Sequence, residues 1–108
     1  MTASDLLDAV ERIAARGGDA ADVLQAIVAT IVDRGGAKWA AVLFNDEGEL
    51  IVGPHAGVAE PGERRAVPIV FEGAHVGQLA VDGLDDQPLI DRVAVLIARY
   101  CTSPDSLT

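Results

Sequence analysis

The chain has 108 residues, half of them apolar, and sets 8 Lys and Arg against 17 Asp and Glu for a formal charge of -9. That length makes one domain with a single core and no need of staples. The charge repels phosphate backbones and anionic lipid surfaces, which sets nucleic acid and membranes aside as partners.

Residues 4–16 read as a first helix. Leu6, Leu7, Val10, Ile13 and Ala14 recur at helical spacing. Thr2 or Ser4 can cap it, and Asp5 and Asp8 suit the positive end of its dipole. Gly17-Gly18 stops it, Asp19 can cap the next, and residues 20–34 make a second helix. Its stripe is Val23, Leu24, Ile27, Val28, Ile31 and Val32, and Gly35-Gly36 is the stop.

Lys38–Phe44 is apolar on both faces, the pattern of a central strand. Asn45-Asp46-Glu47-Gly48 is a turn whose glycine suits a positive φ, and Glu49–Gly53 returns as the second strand. Pro54–Arg65 holds two prolines and two glycines without periodicity and is expected to be a loop. Ala66–Gly83 is two alternating apolar runs about the turn Glu72-Gly73-Ala74, the signature of an antiparallel hairpin. Pro68 lacks an amide donor and fits an edge strand. Asp82–Gln87 reads as an acidic turn. Pro88 opens a last helix, faced by Leu89, Val93, Leu96, Ile97 and Tyr100, to Cys101. The expected domain is 1–103, with 104–108 a flexible tail.

The order is α-α-β-β-β-β-α. The expected fold class is α+β, one antiparallel sheet of about four main strands with helices on one face. The other face is where a ligand would sit.

These residues resemble a GAF domain. The likeness is carried by Gly35–Phe44 with Asp46-Glu47-Gly48, by Val67-Pro68-Ile69 with Gly73 and Val76–Val81, and by the acidic turn into a terminal amphipathic helix. The resemblance implies a sensory or regulatory module in signal transduction, with terminal helices that form a dimer bundle. Members that bind cyclic nucleotides or bilins have a longer middle segment with helices over the ligand. Here that segment is only Pro54–Arg65, and no NKFDE-type pattern or mid-domain cysteine is present. Cyclic nucleotide, bilin and sulfoxide reduction are therefore not carried over, and no cofactor is expected.

The candidate ligand residues are Gln78, Val76, Ala80 and Val70, with Arg65 beside the sheet edge and His55 from the loop. By alternation Gln78 shares a face with Val76 and Ala80, opposite Leu79 and Val81. Arg64-Arg65 can hold an anion or simply balance Glu60 and Glu63. His55 and His75 with one cysteine make no metal spacing and no catalytic triad, so no metal and no enzyme are expected. Cys101, the sole cysteine, excludes an internal disulfide and reads as packing material. Asp85-Asp86 reads as a cap for the last helix.

A homodimer is expected through Leu7, Val10, Val93, Leu96 and Tyr100, because helices one and three offer more apolar surface than one small sheet can cover. No signal-peptide pattern and no bilayer-length apolar run occur, so a cytoplasmic protein is expected. The partner is then a small molecule or a regulatory protein. The rival class is an adaptor that binds no small molecule, akin to roadblock-type dimerisation domains. It ranks lower, because a roadblock fold needs a long helix where Pro54, Gly57, Pro61 and Gly62 forbid one.

Overall fold

A computed structural model describes residues 3–101, with side chains from residue 5 onward. The tail 104–108 and the Thr2 cap lie outside the described residues. The elements are α1 (Ala3–Arg16), α2 (Ala20–Gly35), β1 (Trp39–Asp46), β2 (Glu49–Gly57), β3 (Arg64–Phe71), β4 (Ala74–Asp82) and α3 (Gln87–Cys101). A 3-10 turn, Pro61–Glu63, precedes β3. The strands form one antiparallel sheet in the order β2-β1-β4-β3. The expected α+β class and element order hold.

Both hairpins close the same way. Glu47 and Gly48, and again Glu72 and Gly73, all have positive φ. Two central residues of positive φ make a type I′ turn, whose twist matches that of the strands it joins. Asp46 pairs with Glu49 and Phe71 with Ala74 across these turns. β1 is central, as its two apolar faces require, and Pro68 lies on the edge strand β3.

The loop expected over Pro54–Arg65 is shorter than that. β2 runs on to Gly57 and β3 starts at Arg64, leaving Val58–Glu63 between them. Pro54 is tolerated because β2 is an edge and because the register shifts there. Ala41 pairs with His55 and Leu43 with Val52, so Gly53 and Pro54 together oppose Val42. Such a bulge absorbs a residue that cannot donate to the ladder.

Among the described residues the helices cover one face of the sheet. Ala40, Val42, Val67, Ile69, Leu79 and Val81 meet Leu24, Ile27, Val28, Ile31, Ile90, Val93 and Ile97 in one buried cluster. α2 packs on β1 and β2, α3 on β3 and β4, and α1 chiefly on α2 and α3. Gly36 ends α2 in the left-handed region. Asp86 caps α3 by accepting the Leu89 amide at 3.2 Å. Tyr100 Oη and Arg99 Nη2 donate to the Ala14 carbonyl at 2.6 and 3.0 Å, fastening the end of α1 to α3. Among the described residues no helix is long and apolar enough to cross a membrane.

This packing corrects two of the expected dimer residues. Val10 and Val93 are fully buried inside the single chain. α1 lies across its own α2 and α3, and this packing takes up Val10 and Val93 within the chain. Leu7, Leu96 and Tyr100 are half-buried. Cys101 is buried, and loss of solvent pushes its thiol up to about 12, which suppresses the reactive thiolate.

Candidate functional site

Among the described residues no helix lies on the sheet's second face. Register and alternation set three cross-strand rows on it. Gly57, Trp39, Asp82 and Arg64 form one end row, followed by His55, Ala41, Ala80 and Ala66 and then by Val52, Leu43, Gln78 and Pro68. Ala41 and Ala80 are buried although no helix lies over them. They make a floor of methyl groups between larger neighbours. Gln78, half-buried, brings an amide with donors and an acceptor to that floor.

The strands approach closely under this floor. A β-carbon at Gly77 would stand 2.2 Å from the Leu43 carbonyl oxygen, so glycine is required there.

The end row is closed by charge. Asp82 is completely buried. Arg64 Nε donates to its Oδ1 at 2.8 Å and Nη2 to its Oδ2 at 3.1 Å. The Glu60 amide donates to Oδ2 at 2.7 Å. Burial disfavours the charged form, yet the Arg64 hydrogen bonds, the Glu60 amide and the Arg64 charge outweigh it and hold the carboxyl below the ordinary value. The same pairing raises Arg64. The Arg64 guanidinium also stacks 4.4 Å from the centre of the Trp39 ring.

These contacts pin Val58–Glu63 over one end of the face. The Val58 amide donates to the Lys38 carbonyl at 2.8 Å and the Gly83 amide to the Glu63 carbonyl at 3.1 Å. Lys38 and Glu63 form an exposed ion pair that raises the lysine. The short middle segment is thus a strap across the Trp39–Asp82–Arg64 end, and in the next row Ala41 and Ala80 are buried beneath larger neighbouring side chains without a helix over them.

The candidate residues divide. Gln78, Ala80, His55 and Val70 lie on the open face, Val70 and His55 exposed. His55 belongs to β2 and not to a loop, and its carbonyl accepts from Gln25 of α2 at 3.0 Å. Arg65 is on the other side. It pairs across from Val81 and points to Asp85 and Gln87 at the start of α3, each at 3.4 Å. Arg64, one residue earlier, is the arginine of the open face. Val76 is displaced as well. Gly77 pairs with Ile69 and His75 with Val70, so Val76 is the extra residue of a bulge, and it packs against the core. Sequence reasoning singles out neither Trp39, Ala41 nor Asp82 as a site residue. Asp82 was hidden in an acidic run, and its partner stands 18 residues away. The available signal was period-two continuation of β4 from Gln78 and Ala80 to Asp82. Among the described residues no group of His, Cys, Asp and Glu is placed to hold a metal ion.

No family model matches the sequence, and no curated protein matches it. Solved structures do match. The GAF domain of an Acinetobacter phosphoenolpyruvate-protein phosphotransferase superposes with a TM-score of 0.74 at 12% identity, covering 100% of this chain and 98% of that one. The chain has the GAF fold. The corresponding GAF domain from Coxiella burnetii gives a TM-score of 0.74 at 11% identity, over 93% of this chain and 94% of that one. A free methionine-R-sulfoxide reductase from Neisseria meningitidis, solved with its substrate, gives 0.79 at 15% identity, over 98% and 92%. GAF-fold chains thus include an enzyme as well as domains of larger transferases. At these identities the likeness concerns the fold.

Proposed function

We propose that this chain is a sensory or regulatory GAF module of the cytoplasm that takes a small molecule on the open face of its sheet. The supporting observation is the make-up of that face. A floor of small side chains, Ala41, Ala80 and Ala66, lies between the Gln78 amide and the Trp39–Arg64 wall. Such a surface suits a flat, largely apolar compound with one hydrogen-bonding edge. The Neisseria neighbour, solved with its substrate, gives a GAF-fold precedent for a bound small molecule.

The signal would pass through β1 and β4. These strands carry the floor on one face and Ala40, Val42, Leu79 and Val81 on the other, packed against the helices. A ligand that prefers one strand arrangement would bias that packing. A homodimer would then use Leu7, Leu96 and Tyr100 with the exposed Val95. A protein-binding reading rests on a separate feature, the exposed Leu50, Ile51 and Val52 of edge strand β2.

Trp39 is the only tryptophan and stands beside the floor, so its fluorescence reports occupancy directly. Flat heteroaromatic compounds should quench or shift it saturably, and Ala80→Leu should abolish the response by filling the floor. A response unchanged in Ala80→Leu, or none from any such compound, refutes the proposal.

A further inference from the structure

Three of the eight basic residues face one groove. Arg12 and Arg16 of α1 and Arg34 of α2 line a concavity of about 200 Å³ together with Ala9, Ile13 and Thr30. Among the described residues none of the three is in an ion pair, although carboxylates outnumber basic residues in the chain by 17 to 8. Arg12 gives only its Nε, to its own helix at the Asp8 carbonyl, 3.4 Å away. Thr30 has already donated its hydroxyl proton to the Ala26 carbonyl at 2.7 Å, so the polar lining offered to a ligand is guanidinium. Ala9 and Ile13 supply an apolar floor, which strengthens charge interactions above it.

We propose that this groove binds the phosphoryl group of a small phosphorylated molecule. One carboxylate is satisfied by a single arginine fork. Three guanidiniums about one small concavity match a group carrying two or more charges and several acceptor oxygens. The volume is below that of a site for a whole drug-sized ligand. It fits a phosphoryl or diphosphoryl head, with the rest of the ligand outside. Asp8 and Glu11 border Arg12 on its other side and oppose the anion, so the arginines must act together. The groove bridges α1 and α2, and a bound head group would tie the two helices. This site is on the helical side, and the proposal stands apart from the sheet-face reading.

The probes are pyrophosphate and inorganic phosphate, with succinate as the carboxylate arm, titrated calorimetrically into the intact protein. Pyrophosphate should bind more tightly than phosphate, and succinate should bind more weakly than either. Arg16→Gln and Arg34→Gln should each weaken pyrophosphate binding about tenfold, the effect of losing one charged hydrogen bond. Arg92→Gln, exposed on α3 and outside the groove, should leave binding unchanged. In the unaltered protein, pyrophosphate should move the NMR signals of the Arg12, Arg16 and Arg34 side chains. Succinate binding as tightly as pyrophosphate, equal binding by the groove variants and Arg92→Gln, or no heat up to millimolar pyrophosphate each overturns the proposal.

Discussion

Removing either partner of the Arg64–Asp82 pair should destabilise the fold, but unequally. The Arg64 side chain is 36% exposed and that of Asp82 is 0% exposed. Arg64→Met strands a buried carboxylate with the Glu60 amide as its remaining partner. Breaking a buried pair in this way costs about 3–5 kcal/mol. The expected cost here is about 3 kcal/mol, because the amide remains and water can reach the open face. Asp82→Ala leaves an arginine that can turn into solvent. It forfeits charged hydrogen bonds without stranding a charge, at about 1–2 kcal/mol. The double variant should cost less than the sum of the singles, since removing Asp82 abolishes the penalty for losing Arg64. Urea midpoints at neutral pH with a common slope measure all three. Asp82→Ala costing more than Arg64→Met, or Arg64→Met costing under about 0.5 kcal/mol, refutes the reasoning.

Three further outcomes follow from the same contacts. Leu79→Ala, fully buried in β4, should cost about 2–5 kcal/mol in denaturant unfolding. Glu72→Asn should stabilise by about 0.5–2 kcal/mol, read as a raised melting temperature, because Glu72 holds a positive φ at a type I′ position that asparagine prefers. The folded carboxyl of Asp82 is depressed, so its contribution is complete above the ordinary aspartate value of about 3.9 and is lost as pH falls through the lower folded value. Asp82→Ala should therefore show a shallower fall of stability below about pH 4 than the parent chain.

The sheet was legible because its cues are local. Glu-Gly at both turns, Pro68 in an edge strand and the two-sided apolar run of β1 each carry their own reason. The continuation of β2 through Pro54 was not legible, because a bulge on an edge strand lets a breaker residue stay in the ladder. Arg64 and Arg65 fall at the end of a segment that reads as a loop, where no alternation tells them apart; in β3 the step from one to the next reverses the side chain and leaves Arg65 on the helix side. The one local sign at Asp82 is that period two carries the Gln78–Ala80 face on to it, and the acidic run with Asp85 and Asp86 masks that sign. Burial and a distant arginine distinguish it, and both are tertiary. Val10 and Val93 were read as surplus apolar surface, since the placement of α1 across α2 and α3 depends on long-range packing.

The ligand face is tested most directly by amide NMR of the labelled protein titrated with flat heteroaromatic compounds. Saturable shifts should concentrate at Trp39, Ala41, Leu43, His55, Gln78 and Ala80, with smaller changes along β1 and β4 into α2 and α3. Shifts confined to the helical side, or scattered without saturation while the open face stays silent, would contradict the proposed site.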